Sequence, residues 1–400
     1  MEPPPTAEVL VLGAGIAGCA LAYHLALRGV DPVVVYDPQT PAAGASGRAA
    51  GILTEQLWNR WDAEVARETH REYADLCRRW DPEAYRQTGF VRFTTQPEWK
   101  PAVDEALERL RSWGVDATEP SSADLTRWVP AGRFDDVAAA IYSRHDGCVT
   151  PSTITTIYAE GARQRGVTFD FGQPMRSLSH EGSVWSLELP TTTLRARQVV
   201  VAAGAWSKAL LIDLGCPMPL APYRTQAASL RTSGPTPDEC PSVHDLDTDV
   251  YVRPEGHGRL LAGDGTEKTE ADPNRFVPGG DESFLGHLAE SLSGRFPGWK
   301  DSQVIAAWAG VCTATIDRRP LVGPVSGAPD IFLITGFNGF GVMRAGGAAR
   351  RLADLLADGP GSNGAEEALR PVWPGRFSGP VRSFAPRPGF TLEPGDHPRF

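Results

Sequence analysis

Three glycines near the start of the chain, Gly13, Gly15 and Gly18, have the spacing GxGxxG, and their surroundings give that spacing chemical meaning. Val9 to Leu12 is a short apolar run that reads as a strand buried on both faces, and Ala17 to Leu27 reads as a helix of small apolar residues that Gly29 can stop. Gly13 permits the tight turn out of the strand, Gly15 lets backbone approach a pyrophosphate, and Gly18 lets the helix pack close on the strand. The helix start, at Ile16 and Ala17, then presents its N-terminal amides to the phosphates. Asp37 follows nineteen residues after Gly18, at the end of the β-branched run Val33 to Val35, where a carboxylate can accept hydrogen bonds from ribose hydroxyls. The implied chemistry is dinucleotide binding, set against a merely structural glycine-rich turn. The motif alone does not choose between a flavin and a nicotinamide.

Other chemistries find no support. Six cysteines (Cys19, Cys77, Cys148, Cys216, Cys240, Cys312) are scattered with no CxxC pair and no accompanying histidine spacing, so neither a metal site nor a disulfide framework is expected. A formal charge of −10 with no Lys/Arg-rich run argues against a nucleic-acid partner, because phosphate neutralisation needs a clustered basic face. Without a run of eighteen or more apolar residues no membrane span is expected, and the Pro-rich, acidic start Met1 to Glu8 points to a cytoplasmic protein.

The elements that must position the motif are spread along the chain. With 400 residues, 41% of them apolar, two lobes are expected. A second glycine-rich passage, GASGRAAG (44–51), precedes an amphipathic helical stretch from Leu57 to Trp80; GFVRFTT (89–95) alternates like a strand; QVVVAAG (198–204) is a strand that stops at Gly204. Near the end, IFLIT (331–335) reads as a buried strand, followed by a glycine-dense turn and a helix from Ala348 to Ala357. Strand, glycine turn and helix thus recur at both ends. We therefore expect one nucleotide-binding lobe from residues 1–52, 141–217 and 298–360, and a second lobe from 53–140 and 218–297. Residues 361–400, rich in Pro, Gly and Arg, form a tail that either wraps the domain or is disordered.

The ordered set of motifs resembles the FAD-dependent D-amino-acid oxidase superfamily, in its glycine oxidase and sarcosine oxidase-like branch. The matching pieces are VLGAGIAGCALAYHLALRG (11–29), GASGRAAGIL (44–53), VTPSTITTIYAEGARQRGV (149–167), VVVAAGAWS (199–207), WAGVCTATIDRRPLVGPV (308–325) and ITGFNGFGVMRAGGAARRLADLL (334–356). The resemblance implies an α/β fold: a Rossmann-like FAD-binding domain of glutathione-reductase type, interleaved with an α+β substrate domain on an antiparallel sheet. It implies cofactor contacts along the second passage (Ser46, Gly47, Arg48, Ala50, Gly51), at Val167 on the adenine side, and beneath the cofactor at Ala203, Gly204 and Trp206. Gly336, Asn338, Gly339, Phe340 and Gly341 are implied beside the flavin pyrimidine, where a helix N-terminus favours negative charge. The implied reaction is hydride transfer from a carbon beside an amine nitrogen to the flavin, leaving an imine that water hydrolyses. The protein then mainly orients the amine and excludes water, so no catalytic base is assigned.

Three departures from the family pattern shape the expectations. Cys312 stands where many glycine oxidase-like relatives have an arginine for the substrate carboxylate, and Met343, beside Arg344, stands where sarcosine oxidase-like relatives use a lysine. Arg48, Arg224, Arg253 and Arg344 remain as candidate carboxylate ligands, each equally suited to an ordinary ion pair, with Tyr251 and Cys312 as further substrate-side candidates. A cysteine in this region tethers FAD in some relatives, seven positions before the motif aspartate; here Gly310 holds that place, and Cys312 lies five before Asp317, so FAD is expected to be non-covalent. Finally, Leu261 stands where oxidases of this branch carry a lysine that activates oxygen. Oxygen or another acceptor could therefore take the electrons, and a homo-oligomer, a catalytic subunit of a multi-chain dehydrogenase and a non-catalytic flavin module all remain open.

Overall fold

The computed structural model describes residues 6–377, apart from 235, 237–238, 265–269, 329, 360 and 362. It is built on two eight-stranded sheets, with a small three-stranded sheet of Ile52–Leu53, Gly147–Val149 and Tyr85–Arg86 at their junction. The centre of the first sheet is parallel, in the order Thr168–Phe171, Val33–Asp37, Ala7–Leu12, Thr193–Val201, Ile331–Thr335. These neighbours come from the N-terminal, middle and C-terminal pieces of the chain. Alternation of side chains explains the continuous apolar runs: Val9, Val11, Val33 and Val35 enter one core, while Leu10, Leu12, Val34 and Val199 enter the core on the opposite face. Burying such a side chain stabilises the fold by roughly 1.5–3 kcal/mol each, so this double-faced strand needs no polar alternation.

Helices Ile16–Leu27, Pro151–Arg163, Arg60–Trp80 and Gly341–Asp358 cover the first face. The Arg60–Trp80 helix starts where Asn59 Oδ1 accepts from Asp62 N at 3.0 Å, and Trp61, Val65, Thr69, Tyr73 and Leu76 place its buried stripe at helical spacing. The second sheet runs in the order Gln303–Thr315, Leu220–Arg231, Arg259–Asp264, Val250–Gly256, Ser242–Asp245, Phe90–Thr94, Ala139–Ser143, Ala117–Thr118. It is antiparallel except where Ser242–Asp245 pairs in parallel with Phe90–Thr94.

The expected lobe boundaries need two corrections. The Arg60–Trp80 helix, assigned with 53–140 to the second lobe, packs in the first lobe's core, because its apolar stripe meets the Gly341–Asp358 helix. The Gln303–Thr315 strand, assigned with 298–360 to the first lobe, is an edge of the second sheet, paired with Leu220–Arg231 along nearly its whole length. The start of the expected tail is ordered: the Asn363–Leu369 helix and the turn after it bury Leu369 and Val372 in the first core, and Trp61 Nε1 donates to Ala368 O at 2.8 Å. Residues 378–400 lie outside the described residues. Among the described residues no helix is long and apolar enough to cross a membrane.

Candidate cofactor and substrate cleft

The GxGxxG turn is built by close approach. Gly13 has φ +116°, and a Cβ there would lie 2.6 Å from Ala202 O; a Cβ on Gly18 would lie 1.9 Å from Gly13 O. These two glycines let helix, turn and the neighbouring strand touch. Gly15 differs, because a Cβ there meets only Ser46 Oγ, at 3.2 Å, and its backbone faces open space. Side chains hold the turn in place: Ala14 N donates to Asp37 Oδ2 at 2.8 Å, and Ile16 N donates to Ser46 Oγ at 2.9 Å. Asp37 therefore braces the turn as well as standing at the cleft wall.

A cleft of about 640 Å³ opens above this turn. Gly13, Gly15, Ile16, Ala17 and Asp37 line it, as do Ser46, Arg48, Ala50 and Gly51, then Ala203, Gly204 and Trp206, then Gly310, and finally Gly336, Asn338, Gly339, Phe340 and Gly341. The structure thus brings together the two glycine loops more than three hundred residues apart. Asn338 fixes the second loop, donating from Nδ2 to Gly336 O at 2.7 Å and accepting at Oδ1 from Thr315 N at 2.9 Å. The helices that begin at Ile16 and Gly341 both start at the cleft wall with no cap from their own N-cap residues, Gly15 and Phe340, although Ser46 takes Ile16 N, and two positive helix ends are turned toward one space. A dinucleotide cofactor fits these features: two positive helix ends suit a pyrophosphate, and the bare backbone at Gly15 leaves room for it.

Several expected site residues lie elsewhere. Gly18 and Gly47 do not line the cleft but pack against the chain, a Cβ on Gly47 lying 2.3 Å from Ala42 O. Val167 is buried in the first core, its N–H donating to Ala162 O at 3.2 Å; Pro174 and Met175, just beyond the strand, line the cleft instead. The adjacent Tyr36 hydroxyl donates to Gln173 O at 2.8 Å, and burial pushes its pKa up to about 12.

Among the arginines, three of four candidates are structural. Arg224 forks onto Asp281 at 2.6 and 3.0 Å and donates to Val277 O and Gly279 O. Arg253 is buried, donating to Ala50 O and Pro254 O. Arg344 is fully buried in an ion pair with Asp62 at 2.5 Å, and its Nη2 donates to Phe337 O. None of the three lines the cleft. Arg48 does, but its guanidinium donates back to Ala43 O and Gly44 O, clasping its own loop, while Arg48 O accepts from Trp308 Nε1 at 2.9 Å. Tyr251 and Cys312 line the cleft; Leu261 is buried and does not.

The residues that sequence reasoning missed come from the second sheet. Arg92 lies in the strand Phe90–Thr94, is 2% exposed, lines the cleft, and donates from Nη1 to Gln56 O at 2.7 Å. Burial pulls its pKa down, against the opposing pull of Asp146 and Asp249. His244 and Asp249 also line the cleft, with His244 Nε2 2.8 Å from Asp249 Oδ1. Asp249 Oδ2 is buried and has no hydrogen-bond partner among the described residues. An arginine amid Phe90, Val91 and Phe93 was the available signal for Arg92. The run VHDLDTD (243–249) carries no such signal, because its charges read as a solvated turn. No lysine lines the cleft among the described residues.

Comparison with known proteins fits this geometry. The family model for FAD dependent oxidoreductases matches residues 8–355, and the chain belongs to that family. Mitochondrial dimethylglycine dehydrogenase of Rattus norvegicus is 28% identical over 389 residues, covering 90% of this chain and 44% of that protein. Mitochondrial sarcosine dehydrogenase of Homo sapiens is 26% identical over 383 residues, covering 89% of this chain and 40% of that protein. The chain thus spans under half the length of these relatives. In fold it is similar to L-proline dehydrogenase from P. horikoshii, with a TM-score of 0.84, 22% identity, and coverage of 95% and 100% of the two chains. Glycine oxidase from Geobacillus kaustophilus gives 0.82, 21%, 93% and 99%.

Proposed function

We propose that the chain oxidises the carbon beside the nitrogen of an amino acid, with secondary or N-methylated amino acids such as sarcosine, dimethylglycine or proline as substrates. The observation that carries this reading is a single cleft lined by two glycine loops suited to FAD and, from the other sheet, by a buried arginine and a buried aspartate. FAD, when bound, supplies the hydride acceptor. Gly15, Ile16, Asp37 and Ser46 would hold its phosphate and ribose side, Pro174 and Met175 its adenine side, and residues 336–341 its ring.

Arg92 takes the substrate carboxylate, since a guanidinium forks onto two oxygens and a buried cation gains most from an arriving anion. Asp249 Oδ2 accepts a proton from the substrate ammonium, and His244 supports the carboxyl through Asp249 Oδ1. A neutral amine has the lone pair that must assist departure of the hydride, so this transfer prepares the reaction. The second sheet excludes water around the reacting carbon. Water then attacks the product imine, which splits into a carbonyl compound and an amine when it is acyclic and opens to one amino-carbonyl compound when, as from proline, it is cyclic.

A non-oxygen acceptor is favoured because the position of the lysine that oxygen-using members of this branch carry is held here by Leu261, which is buried and uncharged. The FAD is held without a covalent bond, in the cytoplasm, Gly310 offering no side chain for a tether. Titrating the purified protein anaerobically with sarcosine, dimethylglycine, proline and glycine tests the reading. Bleaching of the flavin band by a secondary or tertiary amino acid is expected, with dye reduction and little peroxide once air is admitted. A flavin band that no amino acid bleaches overturns it.

A further inference from the structure

Behind the cleft wall, outside the cofactor and substrate site, Glu55, His70 and Asp146 bring three ligand atoms within 4.8 Å of one another. All three residues are buried: Asp146 is 0% exposed, His70 3% and Glu55 6%. They come from separate elements, namely the loop after Ile52–Leu53, the Arg60–Trp80 helix and the turn before Gly147–Val149.

Neither ring nitrogen of His70 has a hydrogen-bond partner among the described residues. A buried polar group without a partner is costly to the fold, so a ligand is the natural account of this ring. The carboxylates are already oriented. Asp146 accepts from Thr54 Oγ1 at 2.6 Å and from Glu55 N at 2.9 Å, while Arg67 Nε takes only Glu55 Oε2, at 2.7 Å. Such outer hydrogen bonds are what aims ligands at an ion.

We propose that Glu55, His70 and Asp146 bind one divalent transition-metal ion of the zinc class, which clamps the 54–56 loop to the Arg60–Trp80 helix. One imidazole nitrogen and two carboxylate oxygens suit such an ion, at roughly 2.0–2.2 Å from each after a small contraction of the cluster. The ion would be structural. Thr54 lines the cleft, and Gln56 O accepts from Arg92, so the clamp steadies the platform on which Arg92 rests.

Cobalt(II) is the probe, added to chelator-treated protein that is otherwise as purified. Uptake of one equivalent with visible d–d bands, and a rise in the thermal midpoint as free cobalt increases, is expected. His70→Gln should weaken uptake roughly one hundredfold while leaving the flavin content unchanged. If wild-type protein takes up no cobalt, a bridging water accounts for the cluster and the proposal is overturned. Uptake by a folded His70→Gln protein equal to that of the wild type overturns it as well. Should His70→Gln not fold, the wild-type titration decides alone.

Discussion

Replacing Gly15 by alanine separates cofactor binding from folding. Gly15 caps the Ile16–Leu27 helix with φ −70° and ψ 179°, a conformation that alanine adopts without strain. The added Cβ meets one side-chain oxygen, Ser46 Oγ at 3.2 Å, which must give by a few tenths of an ångström at a small cost to the hydrogen bond it accepts from Ile16 N. Alanine is a poorer N-cap than glycine by a fraction of a kcal/mol, and loss of glycine's unfolded-state freedom returns about 0.4–1 kcal/mol. Folding stability should therefore change by less than about 1 kcal/mol. The methyl group instead projects into the space assigned to the pyrophosphate, where overpacking costs about 1–3 kcal/mol. FAD affinity should fall roughly five- to 150-fold, at about 1.4 kcal/mol per tenfold. Gly18→Ala is the contrast: its Cβ would sit 1.9 Å from Gly13 O, so backbone must move and folding itself should fail. Fluorescence titration of apoprotein with FAD, beside thermal melts of both variants, reads the two effects. An unchanged FAD affinity in a folded Gly15→Ala protein would refute the placement of the phosphates.

Three further predictions follow from the same geometry. Arg92→Met should raise KM for a carboxylate substrate about thirtyfold or more, on the scale of 2–5 kcal/mol for a lost buried partner, with flavin content retained; Arg224→Ala, outside the cleft, should leave KM unmoved. Arg344→Met strands the buried Asp62 carboxylate and should cost about 3–5 kcal/mol in urea denaturation, part of which Asp62→Leu in the same chain restores. Asp245 has its carboxyl pushed up to about 6, chiefly by burial, so its stabilising protonated form is lost as pH rises through about 6. Asp245→Asn should accordingly be more stable than wild type at pH 8, by on the order of 1–3 kcal/mol, with the gap closing toward pH 4; a gap that widens in acid would contradict this sign.

The first lobe was legible because its strands are buried on both faces and its turns demand glycine. Gly13 and Gly336 mark places where no side chain fits, and that constraint is written directly into residue type. The Arg60–Trp80 helix was legible as a helix but not in its partner, since an apolar stripe says that a face is covered without saying by what. Likewise the Gln303–Thr315 strand looked continuous with the C-terminal pieces, and only its pairing with Leu220–Arg231 places it in the second sheet.

Arginine roles were the least legible part. Arg224, Arg253 and Arg344 have the chemistry of a carboxylate anchor, and their partners Asp281, Ala50 and Asp62 lie 57, 203 and 282 residues away. Such pairings are tertiary facts that spacing does not encode. Val167 failed for a smaller reason: the chain reaches the cleft only after the strand ends, at Pro174 and Met175.

In the proposed function, the two glycine loops hold one FAD between them without a covalent bond. Acid denaturation of the purified protein, followed by analysis of the supernatant, tests that most directly. One FAD released per chain is the predicted result; colourless protein that takes up no added FAD, or a chromophore that stays with the pellet, would contradict it.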